Sequence, residues 1–116
     1  MRSTRDVIDN HLKSFGARDL EGILSDYSAS AILFTPEGVL KGPDEIKPLF
    51  QRMLAEFAKP GTSFDMRQVS IDGEYGYIIW SAETPENVYE LGTDTFVVRN
   101  GKIAVQSFAG KITPRM

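Results

Sequence analysis

The pattern of apolar positions changes near the middle of the chain. From residue 4 to residue 57, apolar side chains recur mainly three and four positions apart, which is typical of helices that bury one face. From residue 62 to residue 112, apolar and polar side chains alternate, which is typical of strands. Helices followed by a run of consecutive strands predict an α+β fold with a mainly antiparallel sheet.

Local signals divide the first half into three predicted helices and one hairpin. A capping box at residues 3–6 begins the first helix, Asp19 caps a short second helix, and a Gly-Pro-Asp string at residues 42–44 begins the third. Before the third helix, two short strands flank a Pro-Glu-Gly turn. In the second half, tight Asp-Gly and Asn-Gly turns separate longer strands. The predicted strands are residues 31–35, 39–41, 62–71, 75–84, 88–99 and 102–112.

One strand carries a carboxyl group where an apolar side chain would be expected. In the string GTDTFVVRNGKI, residues 92–103, Asp94 shares a strand face with Phe96 and Val98. Asp is depleted in strands, and a buried carboxyl group must be paired or protonated. The pattern therefore marks Asp94 as a candidate functional residue if that face of the strand looks into a cavity.

Composition and charge exclude several kinds of chemistry. The chain has 116 residues, of which 41% are hydrophobic and 25% charged, and we predict one domain over residues 1–116. With no Cys and a single His, no metal site and no cofactor are expected. A net charge of −3 argues against a nucleic-acid surface. The sequence shows neither a membrane span nor a signal peptide, so we expect a cytoplasmic protein that does not bind membranes.

The order of the elements and two strings resemble the nuclear transport factor 2-like superfamily, in its SnoaL-like and ketosteroid-isomerase-like branch. The first string is ARDLEGILSDYSASAILFTPEGVLKGPDEI, residues 17–46, and the second is TDTFVVRNGKI, residues 93–103. The resemblance implies a cone-shaped barrel, in which three N-terminal helices and a curved, mainly antiparallel sheet enclose a cavity. It also implies a homodimer formed through the convex face of the sheet, where Trp80 and Tyr89 are expected.

The same resemblance implies a candidate catalytic pair. Steroid-isomerase members of the family use an Asp general base, with an oxyanion hole made by a Tyr and a protonated Asp. Asp94 falls at the position of the protonated Asp, His11 at that of the Tyr, and Thr35 at that of the general base. Because a Thr hydroxyl is essentially never ionised, steroid isomerisation by this mechanism is not expected.

We expect His11 and Asp94 to approach within hydrogen-bond reach, directly or through one water or ligand atom. The alternative is that His11 is a satisfied residue at the edge of the core and that Asp94 is a buried acid bonded to the backbone or to Thr. Strand parity would place Glu90 on the face of Asp94, near the mouth of the cavity. The predicted ligand-binding residues are Phe15, Thr35, Leu49, Tyr77, Ile79, Glu90, Gln106 and Phe108.

The predicted ligand is a small, mostly apolar or aromatic organic molecule that bears one polar oxygen. If turnover follows binding, it would be cofactor-free acid–base chemistry of the isomerase, hydratase or cyclase type. The alternative is a non-catalytic binding or dimerisation module whose cavity is a by-product of packing. Both interpretations fit the sequence.

Overall fold

Three helices and six strands make up the fold, which a computed structural model describes for residues 1–115. The elements follow one another in the predicted order, and the α+β fold class is confirmed. The helices are α1 (Thr4–Gly16), α2 (Leu20–Ser25) and α3 (Gly42–Phe57). The strands are β1 (Tyr27–Thr35), β2 (Gly38–Lys41), β3 (Ser63–Asp72), β4 (Tyr75–Glu83), β5 (Asn87–Arg99) and β6 (Lys102–Pro114).

The six strands form one open, mixed sheet in the order β2-β1-β6-β5-β4-β3. Strands β3 to β6 are a meander of antiparallel neighbours, and β2 is antiparallel to β1. The strands β1 and β6 run parallel, and this pairing joins the helical half of the chain to the meander. The sheet is mainly antiparallel, as predicted, but β2 and β3 remain its two edges, so it does not close into a barrel.

The helices cover the concave face of the sheet. Val7 and Ile8 of α1 are fully buried, and so is Ile46 of α3. The helix α1 approaches β4 closely at Gly76, where a Cβ atom would overlap the Cδ1 atom of Ile8. A residue with a side chain at this position would push α1 away from the sheet, so Gly76 fixes the distance between the helix layer and β4.

The side chains of β4 that face the helices are not the ones predicted from the sequence. Ile78 and Trp80 face the helices and are 3% and 4% exposed, whereas Tyr77 is 37% exposed on the outer face. Ile78 is paired with Asp94, which places these two side chains next to each other on the concave side. The prediction that Tyr77 and Ile79 face the cavity and Trp80 the convex side was therefore wrong.

A bulge in β5 explains two further differences from the sequence-based expectation. The register between β5 and β6 shifts between Tyr89 and Leu91, so Glu90 is an extra residue that reverses the parity of the strand. Tyr89 is consequently buried on the concave side, where its hydroxyl donates a hydrogen bond to the Glu56 carboxylate of α3 at 2.8 Å. Glu90 is exposed and pairs with Lys111 at 3.0 Å. The expectations that Tyr89 lies on the convex face and that Glu90 lies on the face of Asp94, near the mouth of the cavity, were wrong.

Candidate active site

A pocket of about 350 Å³ lies between the helices and the concave face of the sheet. This volume is within the range of small-molecule sites. Most of its lining is aliphatic or aromatic, and the polar side chains that reach it are few. Its polar residues include His11, Thr35, Glu37, Asp94 and Gln106, and its apolar residues include Phe15, Leu33, Leu49, Phe50, Ile78, Trp80, Phe96 and Phe108.

The pocket brings together most of the residues that the sequence indicated. Tyr77 and Ile79 lie outside it because they point to the other face of β4, and Glu90 lies outside it because of the bulge. The predicted site residues that line the pocket are His11, Phe15, Thr35, Leu49, Asp94, Gln106 and Phe108.

Two neutral donors from neighbouring strands hold the Asp94 carboxyl group. The indole Nε1–H of Trp80 donates to Oδ1 at 2.8 Å, and the amide Nε2–H of Gln106 donates to Oδ2 at 2.8 Å. The Oε1 atom of Gln106 accepts a hydrogen bond from the Tyr27 hydroxyl. The resulting series of hydrogen bonds contains one buried residue from each of β1, β6, β5 and β4, which are adjacent in the sheet.

Burial changes the pKa values of two residues in this series of hydrogen bonds, Asp94 and Tyr27. It raises the pKa of Asp94, although the hydrogen bonds from Trp80 and Gln106 and the charge of His11 act in the opposite direction. Burial, with the nearby Asp94 and Asp26 carboxylates, also raises the pKa of Tyr27 well above its ordinary value. Asp94 therefore takes up a proton more readily than an exposed Asp, and Tyr27 keeps its hydroxyl proton to donate to Gln106.

Trp80 lies flat over β5 because residue 92 is a glycine. A Cβ atom at Gly92 would overlap several atoms of the indole ring. The ring makes stacked contacts with Phe64, at a centroid distance of 5.4 Å, and with Phe108, at 6.0 Å. This position carries Nε1 to Asp94, so Gly92 is part of the site although it contributes no side chain. A glycine in the middle of a predicted strand was the available signal.

The imidazole of His11 is enclosed by three aromatic rings. Tyr27, Phe50 and Phe96 meet it nearly edge-on, at centroid distances of 5.6, 5.6 and 5.7 Å. Its Nδ1 atom lies 3.8 Å from Oδ2 of Asp26, which is an ion-pair distance rather than a hydrogen bond. Within residues 1–115, Nδ1 is buried without a hydrogen-bond partner. The predicted direct hydrogen bond between His11 and Asp94 is not formed in the structure, where Trp80 and Gln106 are the donors to Asp94.

Asp26 is a second buried carboxyl group, and the sequence analysis missed it. Arg2 donates to its Oδ1 atom through Nη1 at 2.8 Å, and Asn10 donates through Nδ2 to both oxygens at 2.9 and 3.1 Å. Burial alone would raise the pKa of Asp26, but His11, Arg2 and Asn10 together outweigh it and lower the pKa. Asp26 lies between α2 and β1, where neither periodicity indicates which side chains are buried.

Two further residues at or beside the pocket were not singled out by the sequence. Tyr27 begins β1 and contacts His11 and Gln106 behind the pocket lining. Glu37 was expected only as a turn residue, and it adds a carboxyl group to the lining near Thr35. The Thr35 hydroxyl itself closes that turn, since it donates to the Gly38 carbonyl at 2.9 Å and accepts from the Glu37 amide at 3.2 Å.

A second hollow, of about 370 Å³, adjoins the pocket. Phe15 and Phe57 line both spaces, and their rings meet at a centroid distance of 5.3 Å. Leu12 and Phe64 are the other shared lining residues. The wall between the two spaces therefore includes side chains from α1, α3 and β3.

The described residues show no metal-ligating cluster and no membrane-crossing helix. Within residues 1–115, no group of three or more His, Cys, Asp or Glu side chains is placed to hold a metal ion. None of the helices in this part of the chain is long and apolar enough to span a bilayer.

The helices, the curved sheet and the pocket between them define the class of fold as nuclear transport factor 2-like. Residues 8–106 match the family model of the SnoaL-like domain, and the chain belongs to that family. The family predicted from the sequence is therefore confirmed. No curated protein matches the chain by sequence.

Solved structures from other proteins have the same fold. A nuclear transport factor 2-like protein of unknown function from Cytophaga hutchinsonii has a TM-score of 0.79 at 10% identity, over 96% of this chain and 92% of that one. A candidate ketosteroid isomerase from Kribbella flavida has a TM-score of 0.77 at 12% identity, over 97% and 81%. TerC, co-crystallised with polyporic acid, has a TM-score of 0.74 at 18% identity, over 93% and 91%. At these identities the likeness shows the fold alone.

We predict that Gly92→Ala displaces Trp80 and costs about 1–3 kcal/mol of stability, because the new methyl group overlaps the indole ring. Trp80 is the single tryptophan of the chain, so the intrinsic fluorescence reports on this ring alone. The emission should shift in the variant, and the midpoint of urea unfolding should fall. Gly16→Ala is the matched control, since a methyl group added at Gly16 would meet no other atom within 4 Å. Equal emission and equal stability in Gly92→Ala would contradict the packing described.

We predict that Asp94→Asn raises the free energy of unfolding near neutral pH. The pKa of Asp94 is higher in the folded than in the unfolded chain, so its ionisation opposes folding, and this cost is relieved as the pH falls through the folded pKa. An uncharged Asn carries no such cost. It keeps an acceptor for Trp80, and the Gln106 amide can reverse because the Tyr27 hydroxyl can also accept.

The advantage of Asp94→Asn over the wild type should therefore shrink between neutral pH and about pH 3, where an unfolded Asp is also largely protonated. Urea unfolding of both proteins at the two pH values measures it. The same substitution at the exposed Asp9 is the control and should show no such trend. An advantage that grows toward acid pH would be the opposite of this expectation.

Proposed function

We propose that this protein binds a small, mostly apolar or aromatic organic molecule, and that one polar oxygen of the ligand lies between His11 and Asp94. The proposal rests on one observation: these two buried polar side chains line the same pocket, which has a volume of about 350 Å³ and is otherwise mostly apolar. Small-molecule sites typically combine a large apolar lining with a few polar groups that fix the orientation of the ligand.

Asp94 has the capacity for a further hydrogen bond. Each carboxyl oxygen accepts one hydrogen bond from the protein, at 2.8 Å in both cases, and each has a second acceptor site. In its protonated form, which burial favours, the group also offers a donor to a ligand carbonyl or hydroxyl. A ligand oxygen would therefore find a partner at Asp94 in either protonation state.

The relatives support a ligand of this kind. TerC was crystallised with polyporic acid, and the protein from Kribbella flavida is a candidate ketosteroid isomerase. We extend to this chain the proposal of cofactor-free acid–base chemistry, of the isomerase, hydratase or cyclase type, with His11 and Asp94 as the proton-transferring groups. Steroid isomerisation with a base at residue 35 is not part of the proposal, because the Thr35 hydroxyl is not acidic and is bonded within its own turn.

A non-catalytic binding module is the second candidate function. It is favoured by the observation that both oxygens of Asp94 already have donors in the protein, so the carboxyl group needs no ligand to compensate its burial. Binding would be retained in this case, and turnover would not occur.

We predict that Leu49→Phe weakens ligand binding by about tenfold or more, because the larger side chain fills space in the pocket without changing His11 or Asp94. The probes are panels of apolar ketones, lactones and aromatic acids. Binding is measured by the rise in thermal stability at saturating probe and by quenching of Trp80 fluorescence. Leu91→Phe makes the same change at an exposed position outside the pocket and is the control. If no probe stabilises the wild type, or if both variants bind alike, the pocket is not the binding site.

We also propose that the convex face of the sheet joins two copies of the chain. Tyr77, Thr95 and Ser107 are register partners on this face, which the helices leave uncovered, and Phe34 beside them is 46% exposed. An antiparallel sheet with apolar side chains on its free face is a typical surface for a two-fold interface. The interface differs from the one expected from the sequence, because Trp80 and Tyr89 are on the opposite side.

For this interface we predict a dimer at micromolar concentration. Thr95→Lys should convert it to a monomer, because the two introduced Lys side chains, one from each subunit, would be buried close together in the contact. Sedimentation velocity measures the change. Gln51→Lys adds the same charge to the exposed side of α3 and should leave the dimer intact. A monomeric wild type at tens of micromolar would rule the interface out.

A further inference from the structure

The pocket side chain with an unsatisfied buried atom is His11. Its Nδ1 atom is buried and has no hydrogen-bond partner within residues 1–115, which is costly for a polar atom removed from water. Oδ2 of Asp26 lies 3.8 Å away. A movement of about 1 Å would convert this contact into a hydrogen bond of ordinary length.

Asp26 is suited to accept a hydrogen bond from His11 and not to donate one. Its side chain is fully buried, and Arg2 and Asn10 both donate to it. A cation and an amide in contact with the carboxyl group favour its ionised form, which can only accept hydrogen bonds. An Nδ1 atom that faces Asp26 is therefore satisfied only when it carries the proton.

The surroundings of His11 restrict any other arrangement. Three aromatic rings meet the imidazole edge-on, at centroid distances of 5.6 to 5.7 Å. An aromatic ring is not a strong hydrogen-bond acceptor for the imidazole nitrogens. Phe50 and Phe96 have no polar side-chain atom, and the Tyr27 hydroxyl donates its proton to Gln106 and is not a hydrogen-bond partner of Nδ1. The ring is thus held by packing while Asp26 supplies the polar contact.

We propose that Asp26 is a positioning residue for His11, which holds the proton of the imidazole on Nδ1 and leaves Nε2 as the nitrogen presented to the ligand. This inference rests on the proposed function for the part that concerns the ligand. A proton transferred from a bound molecule to the neutral ring can then be taken up only at Nε2. Asp26 would set the place of proton transfer without touching the ligand, since it does not line the pocket.

The test is nuclear magnetic resonance of the protein labelled with ¹⁵N in histidine. The chain has one His, so the spectrum shows a single imidazole with no assignment problem. We expect a slowly exchanging, downfield Nδ1–H signal over the whole accessible pH range, and the Nδ1–H tautomer as the main form of the neutral ring. In Asp26→Asn, the Nδ1–H signal should lose its protection, and the ratio of Nδ1–H to Nε2–H tautomer should fall severalfold.

The matched control is Arg2→Gln, which removes the ion pair from Asp26 but leaves its carboxylate beside His11. It should lower the melting temperature and leave the tautomer unchanged, which separates positioning from a general loss of stability. A wild-type ring that is mainly Nε2–H, or an Asp26→Asn ring with the wild-type spectrum, would overturn the proposal. If Asp26→Asn does not fold, the tautomer of the wild-type ring still tests the proposal, since a mainly Nε2–H ring contradicts it. Because no ligand is needed, failure of this test is distinguishable from failure of the proposed binding function.

Discussion

Removing a carboxyl group from water costs several kcal/mol unless donors replace the lost hydration, and the concave face of this sheet is arranged around that requirement at Asp94. Trp80 and Gln106 supply the donors, and each depends on another residue for its own position. The indole reaches Asp94 because Gly92 leaves room for it, and the Gln106 amide is oriented by Tyr27. The relative register of four strands is therefore coupled to one buried polar group.

The two buried Asp residues show how neighbours decide the behaviour of the same side chain. Neutral donors surround Asp94, so the effect of burial prevails and its pKa is raised. Asp26 is in contact with the Arg2 cation, with Asn10 and with His11, and its pKa is lowered. Groups whose pKa values are moved apart in this way are a common basis of acid–base sites. Here one ring nitrogen of His11 lies 3.8 Å from Asp26, and His11 and Asp94 line the same pocket.

The sequence was informative wherever local patterns determine the structure. Periodicity and capping signals located the helices and strands, because each depends on neighbours along the chain. Asp94 could be identified because its residue type conflicts with its strand, and such conflicts concentrate at functional sites. The sequence did not determine which side chains of β4 face the helices, nor where Glu90 lies. A bulge without a sequence signal, or a shift of register by one residue, moves the side chains of a strand to the opposite face. Asp26 gave no signal because its burial depends on Arg2 and Asn10, which are distant in sequence.

The wall between the pocket and the neighbouring hollow consists in part of two phenylalanine side chains, Phe15 and Phe57, in edge-to-face contact. Rotation of a side chain requires no hydrogen bond of the backbone to break, and it is fast compared with the opening of a sheet or the displacement of a helix. A guest molecule longer than the inner space could extend through this partition while the framework around it stays rigid. Rotation of these two side chains would therefore change the space open to such a molecule, and substitutions at the two positions would do so without altering the polar end of the pocket.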